Sequence, residues 1–248
     1  MPAIYQNFSK GLVQTSLGNV NPRATSLTEE YTLGTELIKK DQKWRYCKNG
    51  AGVLAPGKLV QSSLLIAAHH DMAPADTAAG SKTVSVTLGG GAAATANQYA
   101  GGFLQIDDGA GEGFMYRVAS HPAADAGAAL VVTLEEGLQV AVAAATNVTL
   151  VANPWSGALV GATGLSAHVI GVSTSSVAAG SYFWAQVGGP CSVLSDGVCT
   201  VGVGVVRSNA TAGAVEASAA ETDTQHQVGI CMGASETGEY AAVHLTIE

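Results

Sequence analysis

Residues 99–118 read YAGGFLQIDDGAGEGFMYRV. Phe103, Leu104 and Ile106 form one apolar run, and Phe114, Met115, Tyr116 and Val118 form a second. Gly109, Gly111 and Gly113 lie between them. Three glycines in five residues admit backbone angles that other residues resist, so the pattern predicts a β-hairpin with a loop longer than two residues. Aromatic residues make up only 6% of the chain, and their density here marks the core of a middle β-domain. Tyr99, Phe103, Phe114 and Tyr116 are its candidates for core or subunit interface.

Further strands follow outward from this hairpin. Residues 82–88, KTVSVTL, put Val84, Val86 and Leu88 on one face and Thr83, Ser85 and Thr87 on the other, the mark of a half-buried antiparallel strand. Residues 129–134 and 147–152 predict two more, the second stopped at Asn153 and Pro154. In the last third, strands are predicted at 167–172, 182–187, 202–206, 214–217, 228–232 and 240–247. Turn signals separate them, among them Gly188, Gly189 and Pro190. Before the hairpin, residues 31–38 and 43–47 are β-like, and periodicity does not decide residues 59–67. Residues 1–28 show no clean period and read as an extended arm ordered only against a partner. The fold class is all-β: an extended N-terminal arm followed by two small antiparallel β-barrel or sandwich domains. The boundaries fall at 1–76, an arm with a β-hairpin, 77–154, a middle domain, and 155–248, a C-terminal domain.

Charge narrows the function. Charged residues are 12% of the chain and the net charge is −8. A surface so poor in charge fits a structural or interaction protein better than an enzyme. Residues 1–60 carry eight of the eleven Lys and Arg. Lys39, Lys40, Lys43, Arg45 and Lys48 cluster among them, which suggests that this part docks on something the rest does not face. The patch is too weak, and too bare of motifs, for nucleic acid. No apolar run reaches the length of a membrane span, and the first residues lack the apolar core of a signal peptide, so synthesis and folding in a cytosol are expected.

Chemical motifs are sparse. Cys47, Cys191, Cys199 and Cys231 have no metal or redox spacing and read as small buried hydrophobes. His69 and His70 on a strand would point to opposite faces and so make no metal pair. Asp107, Asp108 and Glu112 resemble a fragment of a calcium loop, but an EF-hand needs flanking helices and a Glu at its twelfth position. Glu135 and Glu136, or Asp107 and Asp108, lack a defined sugar cleft. Trp155, Tyr182, Phe183, Trp184 and Tyr240 read as core and interface, with a sugar platform as the other option. Of these, Tyr182 and Trp184 join the interface-or-core candidates. No catalytic residue, cofactor or metal is expected.

Three stretches carry a family resemblance. Residues 44–51, WRYCKNGA, with 55–61, APGKLVQ, resemble the early segment of tailed-phage capsid decoration proteins. Residues 97–102 with 111–118, then His121 and Pro122, are similar to their middle domain. Residues 182–190, YFWAQVGGP, with Asp196, Gly197, Gly229 and residues 243–247, resemble their C-terminal domain. The resemblance implies a head decoration, or cement, protein: a homotrimer on the outer surface of an icosahedral virion, clamping neighbouring copies of the major capsid protein. Lys39, Lys40, Lys43, Arg45 and Lys48 would then dock on the capsid. The alternative is a head fibre or host-surface glycan-binding adhesin, which needs Trp155 and Trp184 exposed.

Overall fold

The computed structural model describes residues 12–13, 20–218 and 227–248. Among them the strands are β1 (Leu12–Val13), β2 (Glu36–Lys39), β3 (Gln42–Asn49), β4 (Lys58–Gln61), β5 (Thr83–Thr87), β6 (Phe103–Asp108), β7 (Met115–Ser120) and β8 (Ala129–Leu134), followed by β9 (Asn147–Val151), β10 (Ser156–Val160), β11 (Val169–Ser173), β12 (Tyr182–Leu194), β13 (Gly204–Arg207), β14 (Val215–Ala217), β15 (Gly229–Gly233) and β16 (Tyr240–Thr246). One turn of 3-10 helix covers Ala67–His69. The protein is all-β, in two compact units: Leu64–Asn153, and Met1–Ser63 together with Pro154–Glu248.

In the Leu64–Asn153 unit the strand order is β5-β8-β7-β6-β9. Residues 72–77 close it into a barrel. Met72 bridges Val148 on β9 and Pro74 bridges Val86 on β5, through bonds such as Met72 N–H to the Val148 carbonyl at 2.8 Å and Ala75 N–H to the Ser85 carbonyl at 2.7 Å. Closure removes both open sheet edges. The interior follows the alternation. Val84, Val86, Leu104, Ile106, Tyr116, Val118, Leu130, Val132, Val148 and Leu150 all point inward, each burial contributing about 1.5–3 kcal/mol for the larger side chains. The hairpin forms where expected, and Gly109, Gly111 and Gly113 take φ of +83°, +84° and +84°. Tyr99 and Tyr116 are core residues. Phe114 is exposed and stacks on Tyr116 at 6.1 Å, and Phe103 is half-buried beneath the Arg117 guanidinium at 4.7 Å.

The other unit is built on a closed ring of neighbours, β3-β10-β4-β11-β12 and back to β3. Cys47, Val60, Ala158, Ile170 and Phe183 supply one interior side chain from each of these strands. β12 then continues beyond the ring to pair with β16, and β15, β13 and β14 follow in order. A second cluster fills that extension, with Val193, Cys231, Val243 and Leu245. Leu59 and Val172 join the second cluster from β4 and β11, while their neighbours Val60 and Ile170 face the first. Those strands are therefore buried on both faces, which is why periodicity could not decide residues 59–67. A third cluster on the outer side of β3 and β12 holds Trp44, Tyr46 and Trp184, covered by Val20, Tyr31 and Leu33.

Four expectations change. Residues 31–61 belong to the same sheet as the C-terminal strands, and the middle unit begins at Leu64 rather than 77. Residues 20–28 are held within the chain: Ser26 and Tyr182 exchange backbone bonds of 3.0 and 2.7 Å. Residues 1–11 and 14–19 of the expected arm lie outside the described residues. The pairing is not purely antiparallel, since β10 runs parallel to β3 and β1 to β2. Finally, Gly188, Gly189 and Pro190 do not turn the chain but lie inside β12.

The physical reason lies in neighbours that change midway. β3 pairs with β12 as far as Gly188, and β16 pairs from Gly188 onward. The Pro190 carbonyl accepts from the side-chain amides of Gln42 and Gln186 at 2.7 and 2.8 Å. Its missing N–H thus falls on the side that β3 has left, where no ladder bond is lost. Gly189 has φ +78°, and a Cβ there would collide with the Asp41 carbonyl. Gly189→Ala is therefore expected to cost more than about 2 kcal/mol. Gly180→Ala, at φ +72° with open space around it, should cost only about 1 kcal/mol. Denaturant midpoints of the two variants check this. Equal shifts would remove the special role of Gly189.

Candidate functional site

The basic residues of the β2–β3 hairpin separate into two groups once the strands form. The turn is Lys40 and Asp41, with Lys40 at φ +58°. Beyond it β3 alternates, so Lys43 and Arg45 share one face and Trp44, Tyr46 and Lys48 the other. β2 places Glu36 opposite Arg45. The Glu36 carboxylate lies 3.0 Å from Lys43 Nζ and 3.1 Å from Arg45. Glu248 completes the cluster, 2.5 Å from Arg45 and 3.6 Å from Lys43. Arg45 also donates to the Gly34 carbonyl at 3.0 Å. Two cations meet two carboxylates, so this group has no net charge to offer. Lys48 lies over the Tyr182 ring at 5.3 Å, a cation–π contact that occupies its head group.

Lys39 and Lys40 differ. Both are exposed, and neither is ion-paired among the described residues. Lys39 makes one long bond, 3.5 Å, to the Val20 carbonyl. Of the five expected docking cations, these two are free. Arg23, which sequence reading passed over inside the arm, is also exposed and without an ion pair among the described residues. Only its charge marked it in the sequence.

The aromatic candidates resolve mainly toward the core. Trp184 is 4% exposed, packed against Tyr31 at 5.3 Å and Tyr46 at 5.0 Å. Tyr182 is half-buried and stacks on Tyr46 at 5.8 Å. Trp155 is half-buried with the Arg45 guanidinium at 5.7 Å. These rings hold residues 20–33 against the sheet, each pair adding about 0.5–1.5 kcal/mol beyond its burial.

The histidines serve the barrel of the other unit. His69 is fully buried; its Nδ1 accepts from the Tyr99 hydroxyl at 2.5 Å and its Nε2 donates to the Ala92 carbonyl at 3.2 Å. His121 Nδ1 donates to the Pro122 carbonyl at 2.7 Å, and its Nε2 accepts from the Tyr99 N–H at 3.0 Å. A carbonyl can only accept, so a proton sits on Nε2 of His69 and on Nδ1 of His121. Neither ring has a nitrogen left for a metal. His70, by contrast, is exposed. In the hairpin, Asp107 accepts from Thr149 Oγ1 and Asp108 from the Gly109 N–H. No group of three metal-ligating side chains occurs among the described residues.

The four cysteines are unbridged and buried. Burial pushes the Cys191 and Cys199 thiols up to about 12, and that of Cys47 higher still. None of these three is a thiolate nucleophile at neutral pH. Ser62 Oγ lies 3.3 Å from His168 Nδ1. Burial lowers the His168 pKa, opposed by Glu248.

No protein-family model, curated protein or solved structure matches the chain.

Burial pushes the Tyr99 hydroxyl up to about 12, so the fold holds it as a neutral donor to His69. A raised folded-state pKa contributes stability that is whole below the unfolded value near 10 and is lost as pH rises through the folded one. Stability should therefore decline between about pH 10 and 12, with tyrosinate absorbance rising alongside unfolding. Tyr99→Phe leaves His69 Nδ1 unpaired in an apolar core and is expected to cost about 1–3 kcal/mol at neutral pH. Chemical denaturation measures this. A loss below about 0.5 kcal/mol would mean that the hydroxyl contributes little and that Tyr99 acts through its ring packing.

Proposed function

We propose that this chain is a capsid decoration protein, which binds the outer surface of an icosahedral phage head as a homotrimer and stabilises contacts between major capsid protein subunits. The role is structural rather than catalytic, with no cofactor, nucleic acid or membrane involved. The observation that carries the proposal is the distribution of free charge. In a chain of net charge −8, Lys39 and Lys40 stand exposed and unpaired at one hairpin turn, while Lys43 and Arg45 are neutralised within the fold. A localised cationic rim on an acidic body steers one face toward an acidic partner and turns the rest away.

The two units suit cement work. Barrel closure in one unit and the ring of strands in the other each leave few edges to aggregate. Leu12–Val13 pairs with β2, so the residues ahead of it, 1–11, reach at most about 40 Å when extended. Three linked chains convert modest single contacts into avidity, and binding only the assembled shell stabilises it by mass action. The adhesin reading needs exposed tryptophans, and burial of Trp184 gives it no platform there.

Light scattering of the purified protein is expected to give about three times the 24.9 kDa chain. Co-sedimentation with undecorated shells of the same genome's major capsid protein should show saturable binding. Removing residues 1–19, or making Lys39→Gln with Lys40→Gln, should weaken it about tenfold or more. A chain that does not sediment with shells would overturn the proposal.

A further inference from the structure

The surface around Arg23 contains a cleft with two adjoining lobes of about 300 and 280 Å³. Arg23, Gln42, Thr174 and Gln186 line both. One lobe extends past Pro56 and Pro190 to Tyr240. The other extends past Trp44 to Lys39 and Lys40. Three cations border the cleft, and among the described residues no acidic side chain lines either lobe.

Two buried polar atoms at this cleft lack partners. Trp44 is 3% exposed, and its indole Nε1 has no hydrogen-bond partner; the Thr174 hydroxyl is likewise unpartnered. Other such atoms among the described residues occur at Asn49, Arg207 and Ser235; Trp44 and Thr174 line one lobe together. An unpaired buried donor costs about 1–3 kcal/mol. The indole N–H can only donate, so whatever satisfies it brings an acceptor. Arg23 presents a planar fork that matches a carboxylate. Gln42 and Gln186 are already committed through their amides to the Pro190 carbonyl, which fixes the floor.

Residues 1–28 contain no Asp or Glu, so that stretch has no side-chain carboxylate to offer Arg23. Trp44 is buried and offers no stacking face, while Tyr240, its ring against Gly57, is 51% exposed. What remains is an amphipathic groove, cationic at one end and bordered by Pro56, Pro190 and Tyr240 at the other.

We propose that this cleft binds an acidic segment of a partner protein. Its carboxylate meets Arg23, with Trp44 Nε1 and Thr174 as further donors, and an apolar neighbour rests near Tyr240 and Pro190. Lys39 and Lys40 supply the longer-range attraction. The identity of the partner as a shell protein rests on the decoration reading; the recognition chemistry does not.

The test is fluorescence anisotropy of the full chain with fluorescein-labelled hexaglutamate. Saturable binding is expected, with none to hexaglutamine. Arg23→Gln should weaken it about tenfold or more, and Arg23→Lys should fall between, since it keeps the charge and loses the fork. Trp44→Phe and Thr174→Val should each weaken it several-fold, while Lys82→Gln in the other unit should leave it unchanged. Arg23 is exposed, so its variants remain informative if Trp44→Phe fails to fold. No binding, or binding equally tight with Arg23→Gln, overturns the proposal. So does tetragalacturonate displacing the peptide at a lower concentration than hexaglutamate itself, which would make the occupant a glycan. Shell binding undiminished by Arg23→Gln overturns the cleft and leaves decoration standing. Peptide binding by a chain that ignores shells overturns decoration and leaves the cleft standing.

Discussion

β12 has to serve two sets of neighbours, and the larger unit is arranged around that requirement. Its first half closes a ring against β3 and its second half carries β16. A strand that changes partners midway leaves backbone groups stranded at the change, each costing about 1–3 kcal/mol if buried without a partner. Here the stranded carbonyl is that of Pro190, and two glutamine amides take it. The N–H that would also have been stranded does not exist, because the residue is proline. Gly189 allows the strand to pass against the backbone of Asp41. The Asp41 turn and the floor of the cleft are thus set by the same junction that links the ring core to the outer one.

Much of the barrel was legible in the sequence because each of its strands has one buried and one exposed face. Val84 and Val86 go in while Thr83 and Thr87 stay out, and the hairpin glycines mark its turn without outside help. The larger unit was less legible for the opposite reason. β4 is buried between two clusters, so Leu59 and Val60 show no period. β10 contains two half-buried small residues, Ser156 and Gly157, and offers little pattern to find. The Gly188 to Pro190 stretch has the composition of a turn, and only the change of partners, a tertiary fact, makes it a strand.

The candidate site was half legible. Lys39, Lys40, Lys43 and Arg45 look equivalent in sequence. What separates them is Glu248, which lies 203 residues from Arg45 along the chain, together with Glu36 across the hairpin. Alternation along β3 could place Lys43 and Arg45 on one face, but no local rule could bring the distant carboxylate to them. Trp44 is the reverse case. Its neighbours in sequence suggested a family pattern, while its structural meaning is a buried indole with an unsatisfied donor beside free cations.

That combination bears on how so sparsely charged a chain can recognise anything. Exposed ion pairs contribute little, typically under about 1 kcal/mol, because solvent screens them and ordering long side chains costs entropy. A scattered surface of lysines would therefore steer a partner without holding it. A fixed donor such as an indole N–H, already ordered by packing among Tyr31, Tyr46 and Trp184, loses no such entropy when an acceptor arrives. Three cations at the rim set the approach, and the buried donors set the geometry. The aromatic cluster that anchors residues 20–33 to the sheet thereby also rigidifies the place where those residues meet the cationic turn, so that packing and recognition rest on the same side chains.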